Sequence, residues 1–130
     1  MTRALAAPLA AFRPTKATTM SITTLNLILA WTLAAFFVLG GAVNVAGRGS
    51  TIAEYRRWGY PDWFHFVTGA LEFATALLLA LTTTRLLGAG LGAAVMLAAA
   101  ATVIVHCEYA RAVPPIVVLI LLVVVGWSAL

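Results

Sequence analysis

Val67-Thr68-Gly69-Ala70-Leu71-Glu72-Phe73-Ala74-Thr75-Ala76-Leu77-Leu78-Leu79-Ala80-Leu81 is an apolar run broken by a single carboxylate. Its length and hydropathy suit a membrane helix. It lacks the strict alternation of a barrel strand. Backbone left exposed to lipid would have unsatisfied polar groups, so the segment must be helical. Glu72 then has two options. It lies in hydrocarbon at considerable cost, or it faces a protein interior that supplies partners. An ionisable residue inside a span is by default a candidate functional site.

The rest of the chain agrees with a membrane setting. Of its 130 residues, 63% are hydrophobic and 9% are charged, against about 25% charged in a soluble domain. So few polar groups cannot coat a water-facing surface. The length allows one domain and one core. Net charge is +4, from eight Lys and Arg against four Asp and Glu. These basic residues sit between apolar runs, which points to membrane topology and anionic lipid and away from nucleic acid. Cys107 is the only cysteine, so no intrachain disulfide can form.

A helix needs about 20 apolar residues to cross the hydrocarbon core. Four runs are candidates: 21–46, 62–84, 85–109 and 114–130. Ser21 is a candidate cap for the first, and Gly47-Arg48-Gly49-Ser50 ends it. That run exceeds the about 7–15 residues of a signal-peptide core. Pro61 and Asp62 suit the start of the second. Pro114-Pro115 opens the fourth. Residues 1–20 are basic, acid-free and Ala-rich and read as a disordered tail, with Met20 an alternative start. Between the first two runs, Thr51 and Glu54 have capping-box spacing. Ile52, Tyr55 and Trp58 share a side, and Gly59 is a stop signal. This segment reads as a short interfacial helix. The predicted fold is therefore all-α, an integral membrane four-helix bundle with a short interfacial helix between spans one and two.

Four spans put both termini on one side of the membrane. That side carries Arg3, Arg13, Lys16 and Arg85, and the other carries Arg48, Arg56, Arg57 and Arg111. The balance leaves orientation open under the positive-inside rule.

Helix rise places Glu72 about 15 Å past Asp62, near the middle of a core about 30 Å thick. His65 lies close to two turns before it and shares its face. Asn44 ends the first span, and His106 and Glu108 end the third, on the same side as His65. Glu72, His65, His106 and Asn44 are therefore the candidate polar pocket, opening toward that side under the interfacial helix. The bland reading of Glu72 is a protonated carboxyl that bonds another helix. Glu108 and Arg111 read as a surface pair. No metal-binding spacing such as His-x-x-x-His is present. His65 and His106 are weak candidates for haem ligation. No phosphate-binding loop, nucleophile elbow or Cys-x-x-Cys occurs, so no reaction is named. Gly88-x-x-x-Gly92 and Ala98 to Ala101 read as close helix packing.

The order of these features resembles the DoxX-like family of small four-helix membrane proteins. The resemblance runs from about Leu33 to Leu122. It takes in Phe37 and Gly40-Gly41, then Tyr55, Gly59-Tyr60-Pro61 and Trp63. Its strongest piece is Gly69-Ala70-Leu71-Glu72, matching a family Gly-x-x-Glu. Arg85, Gly88-Ala89, Met96, Ala100, His106 and Pro114-Pro115 follow in order. Members often carry Lys where this chain has Asn44, which can only hydrogen-bond. The resemblance implies a multi-pass protein of a bacterial cytoplasmic membrane. It further implies an accessory or anchoring subunit of a redox or oxidative-stress system linked to quinone. A membrane-associated redox protein is then the expected partner, alongside the lipid bilayer, and quinone the candidate lipid-soluble ligand. Two other readings stand beside it: a small-molecule or proton-binding protein that uses Glu72, and a membrane-protein assembly factor.

Overall fold

The computed structural model describes the backbone of residues 16–130 and the side chains of residues 21–130. Most of the expected tail, residues 1–15, lies outside the described residues. Five α-helices follow in order: α1 (Lys16–Ala46), α2 (Gly49–Arg57), α3 (Phe64–Ala80), α4 (Arg85–Val105) and α5 (Val113–Ser128). Short 3-10 turns, Thr82–Thr84 and Tyr109–Ala112, lead into α4 and α5. Among the described residues there is no strand.

Three segments are long and apolar enough to cross a membrane: Ser21–Ala46, Thr82–Val105 and Tyr109–Ser128. The α3 helix is apolar but has only 17 residues. It is shorter than the expected 62–84 because both ends of that run do other work. Asp62 and Trp63 form a turn. Trp63 is the N-cap and offers no side-chain cap bond, while Asp62 turns away to Arg56. At the other end Leu81 is extended, with φ −87° and ψ 124°, and Thr82–Thr84 belongs to the turn. The capping box at Thr51 does not form either. Arg48 is the N-cap of α2, without a side-chain bond, and Glu54 pairs elsewhere. Ser21 lies inside α1, not at its start.

Glycines set the close approaches. A Cβ on Gly88 would lie 2.7 Å from the Leu79 backbone nitrogen, so only glycine lets α4 fold back this tightly on the end of α3. Thr84 and Arg85 seal that turn: Thr84 Oγ1 donates to the Leu78 carbonyl at 3.0 Å, and Arg85 Nε to the Leu79 carbonyl at 2.9 Å. These bonds satisfy carbonyls that a helix end leaves without partners. A Cβ on Gly69 would meet Val45 Cγ2 at 2.6 Å and the Gly41 carbonyl at 3.0 Å, where α1 and α3 touch. Small residues allow such backbone contact between membrane helices.

The α1 helix packs on α3, α3 on α4, α4 on α5, and α5 returns to α1. Phe37, Leu79, Thr75 and Leu122 fill the centre. A Cβ on Gly92 would meet Thr75, Leu122 and Phe37 together. Outward, large apolar side chains such as Leu39, Leu77, Leu87 and Trp127 are exposed. So much exposed apolar surface would aggregate in water and is at ease in lipid. The α2 helix rests on α3 at one end of this array.

Candidate functional site

The α2 helix is held in place by its own ending. Gly59 adopts φ +85°, its N–H reaches the Arg56 carbonyl at 3.0 Å, and the Tyr60 N–H reaches the Tyr55 carbonyl at 2.9 Å. This paired pattern is the Schellman motif. Its hydrophobic contact is here a pair of rings, Tyr55 and Tyr60, 5.9 Å apart. The motif turns the chain so that Tyr60 stacks on Phe64 at 4.6 Å, nearly parallel at 8°. One face of α2 thereby meets the start of α3, and Tyr55 is buried.

Beneath α2 lies a cavity of about 410 Å3. Its aromatic walls are Phe36, Tyr55, Trp58, Tyr60 and Phe64, and its polar lining includes Asn44, Glu54, Thr68, Glu72, Thr102 and Arg111. Glu72 is 6% exposed. Its Oε2 accepts a hydrogen bond from Asn44 Nδ2 at 2.8 Å. The same Nδ2 donates to the Gly40 carbonyl at 3.1 Å. Asn44 Oδ1 accepts from the Tyr55 hydroxyl at 2.8 Å. Asn44 thus ties α1 to α2 and α3 at once. A Cβ at Gly40 would stand 2.8 Å from Glu72 Oε1, so a glycine there gives the carboxyl its place. Tyr60 and Thr102 oxygens are 2.7 Å apart. Thr102 Oγ1 gives its hydrogen to the Ala98 carbonyl, so the tyrosine hydroxyl is the donor of this pair.

The sequence candidates separate into two groups. Asn44 and Glu72 meet directly. His65 stands behind them: it is 2% exposed, not solvated, and does not line the cavity. Its Nδ1 lies 2.7 Å from the Asn44 backbone carbonyl. A carbonyl only accepts, so Nδ1 carries the hydrogen. Gly47, at φ +57°, makes room for the ring, since a Cβ there would meet His65 Cε1 at 2.6 Å. His106 stands apart. It is exposed, its Nδ1 contacts the Thr102 carbonyl of its own helix, and it does not line the cavity. No group of three or more metal-ligating side chains occurs among the described residues.

A charged cluster closes the outer end. Arg57 pairs with Glu108 at 2.9 Å, Arg111 with Glu108 at 3.0 Å, and Arg111 with Glu54. Trp58 Nε1 points to Glu108 Oε1 at 3.4 Å, and both guanidinium carbons sit 5.6 Å from a Trp58 ring centroid. The expected Glu108–Arg111 pair is present, but it is part of a larger network that fastens α2 to the turn before α5. Desolvation pushes the Glu108 carboxyl up. The bonds from Arg111 and Trp58 and the charges of Arg57 and Arg111 outweigh it, and the carboxyl sits below the usual range. The hydrogen bonds from Arg56 likewise hold Asp62 below its usual value. The sequence gives no signal for the partnerships of Glu54 with Arg111 or of Tyr60 with Thr102, because these partners lie far apart along the chain.

A family model described as the DoxX-like family matches residues 28–125, most of the chain. No curated protein and no solved structure matches the chain.

Proposed function

The chain belongs to the DoxX-like family, and from that premise we propose that it is a four-span membrane protein that binds a small lipid-soluble molecule beside Glu72. The proposed topology takes α3 as the fourth crossing and sets both termini on the same face of a bacterial cytoplasmic membrane. The observation that carries the reading is the cavity. Ligand sites are typically about 300–1,000 Å3, mostly apolar, with a few convergent polar groups. A space of about 410 Å3 with aromatic walls and a buried carboxyl fits that description. Glu72 Oε1 receives no hydrogen bond from the described residues, while Oε2 is held by Asn44. The carboxyl is thereby oriented and still has capacity to bond or to exchange a proton. His65 acts as a positioning residue through the Asn44 carbonyl.

The test is saturable binding of the hydrophobic fluorophore N-phenyl-1-naphthylamine to protein in lipid nanodiscs. Ala99 lines the cavity, and Ala99→Phe fills it. Wild type binds and the variant does not. Equal binding by both overturns the reading.

The parallel Tyr60–Phe64 stack favours a second reading. Flat rings and hydrogen-bonding side chains in one lining suit a quinone head. In that reading the protein is an accessory or anchoring subunit of a quinone-linked redox or oxidative-stress system, with a membrane-associated redox protein as partner. Quinone and such a protein should then co-purify in mild detergent. Neither would appear, and quinone-linked respiration would survive deletion of the protein, if this second role is wrong.

A further inference from the structure

Among the described residues Glu72 has no counter-charge. The ion pairs among the described residues are Arg56–Asp62, Arg57–Glu108, Arg111–Glu54 and Arg111–Glu108. Its hydrogen-bond donor is the neutral amide of Asn44. Surrounding elements supply nothing closer. The lining from α1, α4 and α5 contains no ionisable side chain. The α2 helix contributes Tyr55, whose hydroxyl hydrogen goes to Asn44, and Glu54, which is paired with Arg111. His65 on α3 gives its Nδ1 hydrogen to the Asn44 carbonyl and does not line the cavity. Tyr60 is bonded to Thr102. The two arginines near the outer end are already held by carboxylates.

A carboxylate at membrane depth without a cation is costly. Two things cancel its charge: a proton on the oxygen, or a cation beside it. The cavity is built for the second as well as the first. Five of its lining residues, Phe36, Tyr55, Trp58, Tyr60 and Phe64, are aromatic, the residue types whose rings attract cations. An anionic ligand would meet Glu72 unfavourably, and a neutral one would leave a proton alone to cancel the charge of the carboxyl.

Resting on the small-molecule reading above, we propose that the ligand class is a hydrophobic organic cation, an amine or quaternary ammonium, bound at Glu72 in exchange for a proton. In the empty site the acid O–H is intact. On binding, that bond breaks, the proton leaves to water, and the cation sits against the carboxylate. One positive charge enters and one departs, so the buried charge stays constant. Cation and proton compete for the same group, and apparent affinity therefore falls as pH falls.

The experiment uses the whole protein in nanodiscs. The probe is radiolabelled benzyltrimethylammonium, and the competitor is neopentylbenzene, which has the same shape with carbon in place of the charged nitrogen. Wild type is expected to bind the cation saturably, more tightly as pH rises, and more tightly than it binds the neutral isostere. Glu72→Gln should weaken binding by about a hundredfold or more, the scale of breaking a buried charge pair. Calorimetry of wild type in two buffers of different ionisation enthalpy should count one proton released per cation. That measurement stands even if the Gln variant does not fold. Equal binding of the neutral isostere, or no proton release, overturns the cation assignment and leaves the cavity reading intact. If no small molecule binds and Ala99→Phe changes nothing, both fall.

Discussion

Asn44→Leu should loosen the protein at the point where three helices meet. The substitution removes the bond to Glu72 Oε2 at 2.8 Å and the bond from the Tyr55 hydroxyl at 2.8 Å. It keeps the side chain's approximate volume. Hydrogen bonds between membrane helices average about 0.6 kcal/mol and reach about 1.7 kcal/mol. Two of them give a loss of about 1–3 kcal/mol. The assay is reversible unfolding by SDS in mixed micelles, followed through Trp58, which borders the Tyr55 ring at 5.7 Å. A double-mutant cycle isolates the mechanism. Tyr55→Phe removes only the hydroxyl, so Asn44→Leu and Tyr55→Phe together should cost less than the sum of the two, by about the worth of one bond. Additive losses would refute the reasoning, because they would mean that the two side chains do not depend on each other.

Cys107 sits at φ +59° in the left-handed region, closing α4 by bonds from its own N–H to Ile104 and from the Glu108 N–H to Val103. Cys107→Gly relieves a cost of about 1–2 kcal/mol and should raise the melting temperature. Gly88→Ala should cost about 1–3 kcal/mol by overpacking against the Leu79 backbone, whereas Gly90→Ala, with open space around it, should be neutral or stabilising in the same SDS titration. Acid should release α2. Glu108 and Asp62 are held below their ordinary values in the folded protein, so their contribution is complete above the ordinary carboxylate value of about 4 and is lost as pH falls through the folded one. Trp58 emission should report that release, and about 1 M salt should weaken the same exposed pairs at neutral pH.

Helical class and two residues that meet in the candidate site, Asn44 and Glu72, were legible because they depend on local hydropathy and on depth along a helix. Glu72 stood out as a carboxylate within an apolar run, and Asn44 as an amide at the end of the preceding span. What escaped were partnerships that cross the chain. Thr51 and Glu54 have capping spacing, but Arg111 offers Glu54 a full charge, and Arg48 takes the cap position without a side-chain bond. Asp62 likewise leaves the helix start for a two-pronged pairing with Arg56. His65 and His106 looked equivalent by depth. One is buried because Gly47 leaves space for its ring. The other is turned outward where α4 ends, bonded to its own helix. Rotation about a helix end decides that difference, and sequence spacing does not encode it.

The brevity of α3 bears on the surrounding lipid. At 17 residues it rises about 25 Å, some 5 Å less than a typical hydrocarbon core. In the proposed four-span topology the segments it packs against, Ser21–Ala46 and Thr82–Val105, are longer, so a mismatch arises at the α3 flank. With α3 as a crossing, acyl chains there would shorten or tilt inward toward Thr82 and Arg85. Bilayer thickness would then act on the protein mainly at the α3 flank. Lipids with shorter chains would relax that flank and favour residence in the thinner regions of a membrane.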